Sequence, residues 1–272
     1  MMKSYLHIVF LSILFTSCNQ EEILVVTNYD EDRLVIDGFL TAESEIQTFK
    51  VDLANNIGDS TTQAVSNVSF SVSSASEYIP FNLQNGNTLV SQFAFQAYPD
   101  TIYTLDYCYD GVCGKKEFTV PHQVSIDSAF PNQLTLINSS IKSELGIHLT
   151  SSYDQWARLE AYKLDSVNMT GDSIWTLQQH PIYDVIQVTA SSNSLYIVEN
   201  FVPGKDGQAD SIDVKIICYA LSSETGQYLY DLNNFMTGEF TGSQYQNPPN
   251  YFDDGTLGLF YGTVLDSIYI SY

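Results

Sequence analysis

Thr101-Ile102-Tyr103-Thr104-Leu105-Asp106-Tyr107 runs toward the dipeptide Asp110-Gly111, and Lys116 to Val120 returns from it. Asp-Gly between two strand-like runs is a strong hairpin signal, because a two-residue turn that matches strand twist needs positive φ at both positions. The same grammar recurs through the first half of the chain. Strand-like runs lie at Arg33 to Leu40, Gln47 to Leu53, Val65 to Val72, Tyr78 to Leu83 and Leu89 to Phe95, with a turn at Asn85-Gly86-Asn87. Val68, Phe70 and Val72 share one face. No helix of ordinary length is visible there. Many short strands separated by turn signals predict a β-sandwich. With 19 Tyr and 15 Phe among 272 residues, aromatic side chains suited to pleated surfaces are plentiful, and a hydrophobic content of 44% is enough for a core.

Pro121 closes this unit, and Val124 begins a second one. Strands are expected at Leu134 to Ile137, Leu145 to Thr150, Trp156 to Leu164, Ile174 to Leu177, Asp184 to Val188, Ser194 to Val198 and Asp213 to Leu221. One helix is expected next. Ser222 or Ser223 caps it, and Leu229, Leu232 and then Phe235 or Met236 form its apolar stripe; Gly226 counts against it. Residues 237–255 read as a Gly-, Asn- and Pro-rich loop, and strands at Gly258 to Gly262 and Ser267 to Tyr272 finish the chain. The reading is all-β: two β-sandwich domains, immunoglobulin-like or transthyretin-like, the second with one short helix near its C-terminal end. The divisions are 1–17, 18–32, 33–121 and 122–272.

The cysteines divide by position. The Asp-Gly turn places Cys108 opposite Cys113. At a non-hydrogen-bonded position the two Cα atoms lie about 4.5 Å apart, which suits a cross-strand disulfide. A redox pair or half of a metal site are the alternatives. Cys218, in Val214 to Tyr219, reads as a core thiol.

Residues 1–17 combine Lys3, the apolar stretch Leu6 to Phe15 and small residues at a cut site, the parts of a secretion signal. Phe15-Thr16-Ser17-Cys18 resembles the lipobox of bacterial lipoproteins. That resemblance implies cleavage before Cys18 and a lipid anchor on it, followed by a tether to residue 32. Glu21 and Glu22, just after Cys18, resemble the surface-export signal of Bacteroidota lipoproteins, which implies an outer-membrane location facing outward. The chain carries 32 acidic and 10 basic residues, a formal charge of -22. Such a balance argues against nucleic acid as a partner and against anionic lipid as a support, so the anchor must hold the protein at the membrane.

Several segments in order resemble one family. Arg33 to Leu40 is similar to its opening strand. Thr101 to Leu105 is similar to its Gly-x-x-Tyr-x-Leu strand, with Asp100 where Gly is usual. Val120-Pro121 and Ile126-Asp127-Ser128 resemble its inter-domain junction. Tyr228-Leu229, Phe235 to Gly238, Pro248-Pro249 and Gly258 to Gly262 resemble its C-terminal half. The family is the DUF4249 outer-membrane lipoproteins of Bacteroidota. It assigns no catalytic residue. It implies an accessory role beside an outer-membrane TonB-dependent transporter.

Chemistry-bearing motifs are sparse. His122, His148 and His180 are far apart in sequence and have no metal-ligand spacing, and no Gly-x-Ser-x-Gly elbow is present. The acidic turn Asp206 to Asp213 offers oxygens for Ca²⁺ but reads more simply as a solvated turn. Seven Asp-Ser/Thr segments, at Asp59, Asp100, Asp127, Asp165, Asp172, Asp210 and Asp266, look like an O-glycosylation sequon; strand-edge chemistry is the plainer reading for most. Phe240, Tyr245, Tyr251 and Phe252 in the 237–255 loop form the candidate ligand or partner surface, since long loops carry function more often than core elements do. No catalytic residue, cofactor or metal site is expected. The expected function is that of a non-catalytic surface lipoprotein, an accessory or ligand-binding partner of a TonB-dependent transporter. A structural or adhesive surface protein is the alternative, and a glycan hydrolase the third.

Overall fold

The computed structural model describes residues 33–54, 65–137, 140–167, 173–177, 185–190, 194–201, 213–237, 251–252 and 256–271. The first half forms β1 (Leu34–Thr41), β2 (Thr48–Leu53), β3 (Val68–Ser73), β4 (Tyr78–Gln84), β5 (Thr88–Ser91), β6 (Ile102–Tyr109) and β7 (Val112–Thr119). The second half adds β8 (Val124–Ile137), β9 (Ser140–Ser151), β10 (Gln155–Val167), β11 (Ser173–Leu177), β12 (Val185–Val188), β13 (Ser194–Phe201) and β14 (Asp213–Leu221). Helix α1 (Ser223–Thr237), β15 (Leu257–Thr263) and β16 (Leu265–Ser271) follow. The fold is mostly β with multiple sheets and a single helix among the described residues, as the strand pattern predicts.

The first sheet has eight strands in the order β15-β1-β2-β5-β4-β3-β6-β7. Asp110 and Gly111 join β6 to β7 with φ of +48° and +85°, as a twist-matched two-residue hairpin requires. The sheet curls over its own core. Phe118 on β7 and Phe260 on β15, from its two ends, meet with ring centroids 5.3 Å apart. Phe49 sits between them and the middle strands, 4.8 Å from Phe260 and 4.9 Å from Phe81.

Residues 257–263 return to this sheet, where β15 runs parallel to β1 from Val35↔Leu257 to Thr41↔Thr263. The approach is close at its start. Gly258 has φ +95°, and a Cβ there would lie 2.0 Å from the Ile36 carbonyl oxygen. Only glycine fits both demands.

The second half packs a three-stranded sheet, β13-β9-β8, on a sheet ordered β11-β10-β14-β16, with β12 also paired to β10. Leu145, Ile147 and Leu149 of β9 join Ala157, Leu159, Ala161, Val214, Ile216 and Cys218 in one core. Cys218 is the expected core thiol, and burial pushes its pKa up. Leu134 to Ile137, expected as a separate strand, continues β8 without a break. Pro131 is tolerated because β8 is an edge strand and its register shifts between Pro131 and Gln133.

Alternation along β10 turns Trp156, Arg158, Glu160 and Tyr162 to the opposite face of that sheet. Helix α1 and β15 cover part of this face, where Trp156, Tyr219, Leu221, Leu229 and Tyr261 form a third cluster packed against Phe39. Ser222 caps the helix: its Oγ accepts from the Thr225 amide at 3.3 Å, and its carbonyl accepts from the Gly226 amide at 2.9 Å. Gly226 lies directly on Trp156. A Cβ there would fall 2.1 Å from the indole Cγ, so the residue that weakens the helix is the one that lets it dock.

Candidate functional site

Cys108 and Cys113 form the disulfide, with Cα atoms 4.0 Å apart across the β6–β7 hairpin. The register pairs Cys108 with Cys113 and Tyr109 with Val112, as the turn predicts. Lys115 and Asp106 form an ion pair at 2.7 Å at the surface, two rungs along.

The aromatic surface expected between residues 237 and 255 is not a surface at its described end. Tyr251 and Phe252 are buried in the first core. Phe252 meets Tyr107 at 5.7 Å, Tyr251 meets Tyr228 of α1 at 5.3 Å, and the Lys116 ammonium lies 4.3 Å from the Tyr251 ring centroid. Lys116 also pairs with Glu224 in the first turn of α1 at 2.6 Å. These two rings pin the chain to the sheet and helix and cannot meet an external ligand. Phe240 and Tyr245 lie outside the described residues, as do Cys18, His180 and Asp206 to Ile212. Asp213, at the end of that acidic turn, accepts a hydrogen bond from Ser271. Among the sequon aspartates, Asp127 accepts from Thr150 at 3.0 Å, Asp266 accepts from the Ile126 amide at 2.8 Å, and Asp100 pairs with His122.

A buried polar cluster occupies the covered face of β10 and β14. Glu160 is its centre. Glu160 Oε2 accepts from the Tyr162 hydroxyl at 2.6 Å and from the Tyr219 hydroxyl at 2.8 Å, and Oε1 accepts from the Arg158 guanidinium at 3.2 Å. The guanidinium carbon of Arg158 lies 4.4 Å from the Tyr219 ring centroid. Burial works against the Arg158 charge, but Tyr261, Glu160 and Tyr219 more than offset it and hold its pKa above the ordinary value. Burial, then the Glu160 charge, raises the pKa of Tyr219. Burial, reinforced by the bond to Glu160, pushes Tyr162 up to about 12. The hydroxyl of Tyr261 on β15 is buried and has no hydrogen-bond partner among the described residues. Sequence reasoning missed this cluster. Its one local signal is the i, i+2, i+4 spacing of Arg158, Glu160 and Tyr162 within an expected strand.

A polar groove of about 500 Å³ lies where the segment after β7 meets the turn between β9 and β10. His122 stacks on Tyr153 with centroids 3.7 Å apart and planes 7° from parallel. His122 Nε2 lies 2.7 Å from Asp100 Oδ2. Asp100 has φ +59°, and its amide donates to the Val120 carbonyl at 3.0 Å. Ser151 Oγ accepts from the Tyr153 amide at 3.1 Å and from Gln155 Nε2 at 2.8 Å, which fixes the turn. Of the histidines named from the sequence, His122 alone has a carboxylate partner among the described residues. His148 packs on Phe130, and its buried Nδ1 has no hydrogen-bond partner among the described residues.

No family model matches the chain, and no curated protein matches it. Among solved structures, the crystal structure of the titin domains Z1Z2 in complex with telethonin is similar to it at 12% sequence identity and a TM-score of 0.20, covering 69% of this chain and 86% of that one. At that TM-score the likeness carries no argument about fold or function.

Proposed function

We propose that this chain is a non-catalytic lipoprotein of the DUF4249 family, anchored in the outer membrane through Cys18, facing the cell surface, and working as an accessory or ligand-binding partner of a TonB-dependent transporter. The observation that carries the reading is the Cys108–Cys113 disulfide on a solvent-facing hairpin. Disulfides persist in oxidising compartments, so the bond accords with the export that residues 1–18 suggest. The ordered segment resemblances support the family and the partner.

Affinity capture of the full-length protein from native outer membranes, followed by mass spectrometry, tests this. A lipid-modified Cys18 and a co-captured large β-barrel are expected. An unmodified Cys18, or no barrel after mild crosslinking, overturns the reading.

A further inference from the structure

We propose that the groove beside Tyr153 is a binding site for a neutral saccharide. Tyr153 is 51% exposed although one face of its ring is covered by the His122 imidazole, and it lines the groove. The negative face of an aromatic ring attracts weakly positive edges, and the axial C–H groups of a pyranose present such an edge. Gln123, Ser125 and Ser152 line the groove beside the ring and supply an amide and hydroxyls that match sugar hydroxyls in both donor and acceptor character, and Thr150, whose proton goes to Asp127, adds an acceptor. At about 500 Å³ the groove lies within the range of small-ligand sites.

The same lining disfavours other ligand classes. Among the described residues it contains no aliphatic side chain to hold a lipid or an apolar molecule. Asp100 and Asp127, bonded to His122 and Thr150 of the lining, and Asp154, next to Tyr153 in the turn, place carboxylates beside the groove that repel anions, and the chain's net charge of -22 adds to that repulsion. Asp100 and Asp127 each already hold a hydrogen bond, Asp100 to His122 and Asp127 to Thr150. A neutral polyhydroxylated ligand satisfies both constraints. The site is also set in advance. Asp100 fixes the imidazole, the imidazole supports the Tyr153 ring, and Ser151 fixes the turn that carries it. Preorganisation of this kind lowers the ordering cost of binding.

The test is calorimetric titration of the full-length protein with neutral gluco-, manno-, xylo- and galacto-oligosaccharides. At least one is expected to bind. Tyr153→Ala should weaken that binding by about tenfold or more, Tyr153→Phe should retain it, and Tyr269→Ala, at an exposed ring on another sheet face, should leave it unchanged. Thermal melts establish that each variant is folded. No binding by any of these oligosaccharides overturns the proposal, and so does binding that survives Tyr153→Ala in a folded protein or that a nucleoside displaces as well as a sugar does. The outcome is independent of the membrane partner: a saccharide-binding protein that captures no barrel would overturn the transporter reading alone.

Discussion

The Tyr219 hydroxyl donates to Glu160 Oε2 at 2.8 Å, on a face of the second sheet that α1 and β15 cover. Glu160 is thereby a buried carboxylate with three donors, two phenols and a guanidinium. A buried ion pair is weak grounds for stability in itself, but breaking one is costly because the remaining charge stays buried. Glu160→Ala is expected to destabilise the protein by about 3–5 kcal/mol, measured by urea unfolding. Arg158→Met with Glu160→Leu should cost less than Glu160→Ala alone. If the double change costs as much as the single one, the stranded-charge account of this cluster is wrong.

The same cluster sets a response to alkali. An unfolded tyrosine loses its proton at about pH 10. Folded Tyr162 keeps its proton up to about 12, and Tyr219 is shifted in the same direction. Between those values the unfolded chain binds fewer protons than the folded one, so stability falls as pH rises. The contribution is whole below the unfolded pKa and lost as pH climbs through the folded one. Thermal midpoints should therefore drop across roughly pH 10 to 12, and Tyr162→Phe with Tyr219→Phe should flatten that slope whatever it does at neutral pH. An unchanged slope in the double variant would show that other groups cause it.

Local features were legible in the sequence because their causes are local. Asp110-Gly111 specifies its own turn, the turn specifies the register that brings Cys108 to Cys113, and Ser222 with Leu229 specifies a capped, one-sided helix. Asp100, in a place where the resembled family has Gly, takes the left-handed φ that Gly would take there. Long-range features were not legible. Gly258 to Gly262 reads as a strand, but nothing nearby says that its partner is β1. Tyr251 and Phe252 sit in a segment whose Gly, Asn and Pro content signals a surface loop, and only the fold shows that core rings close over them. Glu160 is one of 32 acidic residues, and its burial follows from α1 and β15 arriving over it.

Gly226 separates helix propensity from packing. In an exposed helix, Gly→Ala gains about 1 kcal/mol. Here the added Cβ falls 2.1 Å from Trp156 Cγ and 2.3 Å from its Cβ, and the indole is held between α1 and β10. Overpacking of a filled core typically costs about 1–3 kcal/mol. Gly226→Ala is therefore expected to lower stability in urea unfolding, and in a Trp156→Gly background, which removes both clashing atoms, the same change should cost clearly less than in the otherwise unchanged protein. A stabilising Gly226→Ala in the otherwise unchanged protein would mean that α1 does not sit on Trp156.

The disulfide closes a small loop, so its effect should be modest. Cys108 and Cys113 are five residues apart in sequence, and the chain-entropy account gives about 2 kcal/mol for closing so short a loop. The Asp110-Gly111 turn already holds the two strands in register, which leaves the crosslink less to restrict in the unfolded chain than a bond between distant strands would have. Reductant should therefore lower the thermal midpoint by a few degrees without unfolding the protein at room temperature. The Cys108→Ser, Cys113→Ser double variant should start from the lowered midpoint and ignore reductant. A reductant effect that persists in the double variant cannot come from this bond and would point to a second redox-sensitive contact.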